Sequence, residues 1–309
     1  MEQKKRLVTR SDFDGLACAM MLKDMDMIDE IKFVHPKDVQ DGKVELSKRD
    51  ITTNLPYDPR VALAFDHHES EMDRLKALET GGKLIIDPHA RSAARVVYDY
   101  YGGKDTFPRV SEELMAAVDK GDSADFTVDE ILHPKGWVLL HYLMDPRTGL
   151  GRFRNFRISN YDLMMQLIDF CMNHTVDEIL ELPDVKERVD LYFEQADLFT
   201  EQLKRIAKIY DKVVVLDLRE EEIIHAGNRF MIYALYPETQ ISVHVAWGFR
   251  KQNTAVMIGK SIVNKASQVD IGELCLKYGG GGHHNAGTCQ LENDEVDEKL
   301  PDIIAALNQ

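Results

Sequence analysis

Three short strings in this chain carry residue types suited to handling phosphate with a divalent cation. Arg10-Ser11-Asp12-Phe13-Asp14-Gly15 sets two carboxylates one position apart. Phe65-Asp66-His67-His68 follows an acid with two imidazoles, and Gly279-Gly280-Gly281-Gly282-His283-His284-Asn285-Ala286-Gly287 combines a glycine run with two more. In an extended segment Asp12 and Asp14 point to the same side, and Gly15 permits an abrupt turn, so both carboxylates can face one ion. A glycine run leaves its amides unshielded, so successive N–H groups can line an anion site with His283 and His284 as switchable donors. Each string alone has a plainer reading: helix-capping acids, hydrogen-bonded loop histidines, a flexible turn. Together they point to metal-assisted phosphoryl chemistry.

The elements that must position these residues follow from the hydrophobic pattern. Leu7-Val8 leads as a strand into the first acids, and Leu16 to Leu22 reads as a helix. Ile31 to Val34 reads as a second strand. Val61 to Phe65 is a continuous apolar run before Asp66, as expected for a strand covered on both faces of a parallel sheet. Leu84 to Ile86 is a further short strand, and Ser92 opens a helix running to Tyr98. The motif residues thus sit where strands end, which is where open α/β sheets bind ligands. From Glu112 to about His174 the pattern is mostly helical. After a break at Leu182-Pro183-Asp184, apolar positions from Val185 to Tyr210 predict one long amphipathic helix. Strands are predicted at Val213–Leu216, Phe230–Tyr233, Ile241–Val245 and Ala255–Ile258.

At 309 residues the chain suggests two domains. The divisions expected are 1–182, a connecting helix 183–211, and 212–309. A net charge of −15 would repel polyanions at long range, which argues against duplex DNA and anionic membrane as partners. Any anionic substrate must be gripped by local cations or metal. Cys18, Cys171, Cys275 and Cys289 are scattered without metal-binding or thiol-exchange spacing, so a reduced, cytoplasmic chain is expected. The basic start lacks a signal-peptide apolar core, and the longest apolar runs fall short of a membrane span.

In this order the three strings resemble the DHH phosphoesterase superfamily with its DHH-associated C-terminal domain, in the general manner of bacterial exopolyphosphatase-related proteins. The resemblance implies a Rossmann-like parallel-sheet N-terminal domain joined by a long helix to a smaller mixed α/β domain. It also implies one or two Mn2+ or Mg2+ ions. By position, Asp12, Asp14, Asp66 and His67 correspond to metal ligands, with His68 near the scissile phosphate. A late acidic ligand is expected at Asp122, with Asp119 as second choice. Gly280, Gly281, Gly282, His283 and His284 correspond to the phosphate grip. Arg152, in the cluster Arg147–Arg157 with Phe153 and Phe156, and Arg95 at a helix start are further anion-binding candidates.

Two positions depart from the family pattern. Arg10 stands near the place where a histidine is common, and Asn54 where an aspartate bridges the ions. A guanidinium at position 10 can stabilise phosphoryl charge in place of one ion, or simply pair with Asp12 or Asp14. The expected activity is metal-dependent hydrolysis of a phosphodiester or phosphoanhydride in a linear anionic substrate: polyphosphate, a short single-stranded oligonucleotide or a dinucleotide. The rival is a regulatory phosphate- or nucleotide-binding protein with a degenerate metal site. A homodimer is among the expected assemblies.

Overall fold

The computed structural model of the protein describes residues 4–68 and 83–309. The chain divides into two compact units, Met1–Asp125 with Pro134–Leu191, and Phe126–His133 with Tyr192–Gln309. The protein is α/β, with a parallel sheet in the first unit and a separate mixed sheet in the second.

In the first unit, strands β1 (Lys5–Thr9), β2 (Ile28–Phe33), β3 (Asp50–Thr53), β4 (Leu63–Asp66) and β5 (Lys83–Ile86) form a sheet of order β2-β1-β3-β4-β5. All pairings among them are parallel. Direction of winding reverses between β1 and β3, and the crevice beyond the carboxyl ends at such a reversal is where this architecture accepts ligands. Helices α1 (Phe13–Asp24), α2 (Ala93–Tyr100), α3 (Glu112–Asp122), α4 (Gly136–Met144) and α5 (Asn160–Asn173) complete the layers. Phe13 to Leu22 is buried throughout, so α1 is apolar all round and lies inside the unit, packed against α2, α3 and α5.

Helix α6 (Pro183–Ile206) begins in the first unit and ends in the second. It stops four residues earlier than the sequence predicts. Ala207–Tyr210 instead forms strand β6, antiparallel to β7 (Val213–Asp217). Tyr210 pairs with Val213 across a two-residue turn in which Asp211 has φ +54°, a left-handed value that Asp tolerates. The hairpin ladder onto a buried strand outweighs another helical turn.

The second sheet has the order β10-β11-β9-β8-β7-β6, with β8 (Ile241–Trp247), β9 (Thr254–Lys260), β10 (Gly281–His283) and β11 (Ala286–Leu291). β7 and β8 are parallel and the other pairs antiparallel. Its core joins Val213, Val243, Val256 and Ile258 to helices α7 (Ile271–Lys277) and α8 (Val296–Leu307) through Leu274 and Ile303. The predicted strand at Phe230–Tyr233 is instead the start of a helical turn, Met231–Leu235. Asn228 causes this: its side-chain oxygen accepts from Phe230 N at 2.9 Å and its carbonyl from Met231 N at 2.9 Å. A short apolar run carries no period that separates the two outcomes. All four cysteines are free and buried, and no described helix is long and apolar enough to cross a membrane.

Gly279, at φ +72°, ends α7. Its N–H reaches Leu276 O at 3.1 Å and that of Gly280 reaches Cys275 O at 2.9 Å, the paired closure of a left-handed helix cap. Gly279→Ala is therefore expected to destabilise the protein by roughly 1–2 kcal/mol in chemical denaturation. An unchanged midpoint would remove the cap from the account.

Candidate metal and phosphate site

Asp12 and Asp14 do different work although they are two residues apart. Asp12 is the N-cap of α1, and its Oδ1 accepts from Gly15 N at 3.0 Å. Gly15 is required there, because a Cβ would run into the Arg10 carbonyl. The other Asp12 oxygen lies 3.0 Å from Arg10 Nε, so Arg10 makes the simple ion pair that was one of its two expected roles. Asp14 lies in the first turn, 2% exposed. It accepts from Asn54 Nδ2 at 2.7 Å, Ala93 N at 3.2 Å and Ala94 N at 2.7 Å. The last two are the opening amides of α2, a site favourable to an anion. Burial nevertheless pushes the Asp14 carboxyl well up, and the charges of Asp122 and Asp12 add to the shift. Asp12 is raised for the same first reason, partly offset by Arg10.

β4 delivers the second motif. Asp66 Oδ1 accepts from His67 N at 2.8 Å and lies 2.8 Å from His68 Nδ1, which orients the half-exposed His68 ring. His67 Nδ1 is 3.2 Å from the Ala90 carbonyl. A carbonyl can only accept, so Nδ1 carries the proton and Nε2 faces inward. There Nε2 sits 2.7 Å from Asp122 Oδ2. Burial opposes charge on this ring, yet Asp122, Asp14 and Asp66 outweigh it and raise His67 to about 9. The Asp122 carboxyl is in turn held below the usual range, since His67, Arg10 and His68 overcome the upward push of burial.

Ligand atoms of Asp14, His67 and Asp122 all lie within 4.8 Å of one another, and so do those of Asp66, His67 and His68. The first set fits a hard divalent ion: two carboxylates, and an imidazole whose outer nitrogen is already braced. Asn54 adds a buried amide oxygen that has no partner among the described residues, 1% exposed, on a residue held at φ +53°. Asp12 belongs to neither set.

Of the two candidates for the late acid, Asp122 meets His67, whereas Asp119 is spent elsewhere. Asp119 accepts from Ser92 Oγ at 2.7 Å and from Arg95 Nε and Nη2 at 3.0 and 2.7 Å. Arg95, expected to bind substrate, is thus half of a brace between α2 and α3. Arg147, in the arginine cluster, is the member whose charge is felt by Asp12 and Asp122. Asp145 fixes it by contacts of 2.7 and 2.9 Å. Arg152, the member singled out from the sequence, lies next to Gly149, and burial lowers its pKa. The amides of Ala93 and Ala94 carry no signal in their own residue type. Ser92, as a helix-opening residue, was the clue to them.

In the second unit the glycine run is divided. Gly279 and Gly280 close α7, and a Cβ on Gly280 would strike the β11 backbone at Thr288 and Cys289. Gly281, Gly282 and His283 form β10 at the sheet edge. His284 lies between Asp270 Oδ2, 3.2 Å from its Nδ1, and Lys260 Nζ, 2.8 Å from its Nε2. The run therefore supplies fewer open amides than its composition suggests.

A parallel sheet with Asp12, Asp14, Asp66 and His67 beyond its strand ends and Asp122 of α3 against His67, followed in the chain by a mixed-sheet unit bearing the glycine run, is the organisation of a DHH phosphoesterase. The chain belongs to the DHH family and is a phosphoesterase. PggH from Vibrio cholerae, a pGpG-specific phosphodiesterase, is 57% identical to it, with 99% of each chain covered and a TM-score of 0.86. An exopolyphosphatase-related protein from Bacteroides fragilis is 13% identical, covering 98% of this chain and 92% of its own, with a TM-score of 0.54. RecJ from Thermus thermophilus in complex with Mn2+ is 14% identical, covering 98% of this chain and 52% of its own, with a TM-score of 0.51. The latter two show the fold alone. No family model and no curated protein matches the chain.

An incoming Mn2+ must displace a proton from His67, so its apparent affinity is expected to rise with pH, by up to about tenfold per unit, until pH passes about 9. Calorimetric titration at three pH values checks this, and a flat profile contradicts it. Asp122→Asn is expected to weaken Mn2+ binding by at least about tenfold in the same measurement.

Proposed function

We propose that the protein hydrolyses the phosphodiester of a linear dinucleotide of the pGpG kind, giving two mononucleotides, with Mn2+ or Mg2+ held by Asp14, His67 and Asp122. The observation that carries this reading is the 57% identity to PggH over nearly the whole of both chains. The site's chemistry agrees with it. Asp12, Asp66 and Asn54 complete the surroundings of the ion, either as further ligands or by orienting those that bind. A divalent ion bound there would supply Lewis acidity and a water of lowered pKa.

The chain's own groups account for the remaining steps. Arg10, preset by Asp12, and Arg147, preset by Asp145, offer fixed guanidinium donors to the non-bridging phosphoryl oxygens. His68, with Nδ1 directed to Asp66, presents Nε2 for proton transfer to the leaving oxygen. Within the second unit, His283, His284 and the Gly281–Gly282 edge offer donors suited to an anion, with Lys260 behind His284. A short substrate suits a chain of net charge −15, because few phosphates must overcome the repulsive far field.

Turnover of pGpG, short polyphosphate and bis(p-nitrophenyl) phosphate with Mn2+, and again after EDTA, tests the reading. Metal-dependent cleavage of pGpG is expected, and its absence while another substrate is cleaved overturns the assignment. His68→Ala is expected to lower kcat by about 10²–10⁴-fold with Mn2+ binding retained.

A further inference from the structure

A cavity of about 110 Å³ lies in the first unit beside the Arg10-Ser11-Asp12 string. Leu143, Met144, Leu150, Leu163 and Met164 give it apolar walls, and Ser11, Asp145 and Asn160 contribute its polar groups. Room for several waters between apolar walls admits one flat ring, and not a whole dinucleotide. Its neighbours tie it to the phosphate chemistry. Ser11 separates Arg10 from Asp12 in the chain, and Asp145 clamps Arg147, whose charge reaches Asp12 and Asp122.

Asn160 is the group with a defined demand. Its Oδ1 accepts from both Nε and Nη2 of Arg188, at 3.2 and 3.0 Å, which fills both lone pairs. Arg188 cannot swing away: it is 1% exposed, donates to the carbonyls of Asp184 and Ile158 at 2.7 and 2.9 Å, and stacks on Phe156 at 4.0 Å. The amide orientation is therefore fixed by chemistry. Asn160 can offer only the two N–H groups of Nδ2, and among the described residues nothing accepts them.

We propose that this cavity is a base subsite for guanine and that Asn160 Nδ2 reads the O6/N7 edge; the proposal rests on the dinucleotide reading above. Guanine places two acceptors, O6 and N7, side by side. Adenine places an amine where O6 would be, so donor meets donor. Asn160 is itself exposed, so the discrimination comes from its fixed orientation: a committed donor favours the base that accepts from it over the base that presents another donor. The apolar walls cover the faces of the ring and leave this edge as the point of discrimination.

The test compares kcat/KM for pGpG, pIpI and pApA in the wild type and in Asn160→Asp. Inosine keeps O6 and N7 and lacks the guanine 2-amine, so pIpI is expected to stay within about threefold of pGpG, with pApA at least about tenfold slower. In Asn160→Asp a carboxylate faces the base, and the pGpG/pApA ratio is expected to fall by at least about tenfold, a readout insensitive to general loss of active protein. Gly151→Leu, which places a side chain against the cavity, is expected to raise KM for pGpG about tenfold. An unchanged ratio in Asn160→Asp, an unchanged KM in Gly151→Leu, or rejection of pIpI as strong as that of pApA overturns the subsite while pGpG hydrolysis stands. A wild type that cleaves bis(p-nitrophenyl) phosphate and none of the three dinucleotides defeats the substrate reading and the subsite together.

Discussion

The buried carboxylate of Asp14 is the constraint on which the first unit depends. It is satisfied by donors 40, 79 and 80 residues away, from the end of β3 and the opening of α2. A carboxylate taken out of water needs such partners, and removing them leaves an uncompensated charge at a cost of several kcal/mol. The carboxylate therefore fixes α1, the β3 terminus and the first turn of α2 in one arrangement. The donors are all neutral, so they solvate the charge without cancelling it. With Asp12 and Asp122 close by, the pocket retains a negative field that a divalent ion relieves better than any side chain present.

The cations follow a complementary rule. Arg10 is tied to Asp12, Arg147 to Asp145, Arg95 to Asp119 and Arg188 to the backbone, Glu187 and Asn160. Two of these guanidinium groups, on Arg10 and Arg147, act on the acidic cluster, whereas the other two brace helices. Their positions are set by fixed partners, so little reorganisation would oppose the binding of an anion. In a chain of net charge −15 such attraction would be local and short-ranged.

The parallel sheet was legible in its apolar runs, and the convergence of the two acidic motifs because three of its five strands lead into chemically marked residues: Asp12 after β1, Asn54 after β3, Asp66 and His67 at β4. The choice of Asp122 was legible in residue type and open in position, since Asp119 sits three residues earlier on the same helix. What separates them is Arg95, a long-range partner that no local pattern announces. The helix at Met231 and the strand at Ala207 were hidden for a related reason. Each is decided by a single turn residue, Asn228 or Asp211, and by pairing with distant chain. The fixed amide of Asn160 is less visible still, because its meaning comes from Arg188, 28 residues away.

The glycine run is explained largely by the packing of its own members. Gly279 is needed for its left-handed φ, and Gly280 for its close approach to β11. Both are consumed in stopping α7 and turning the chain into the sheet. Gly287 opposes Gly282 in the hairpin, and a Cβ there would crowd Cys275 beneath it. The edge strand Gly281–His283 can thus lie close on α7 and still carry His283 and His284 outward. Gly282 is held to glycine as well, since a Cβ there would strike the Ala286 carbonyl, so the length of the motif reflects packing at three of its four positions.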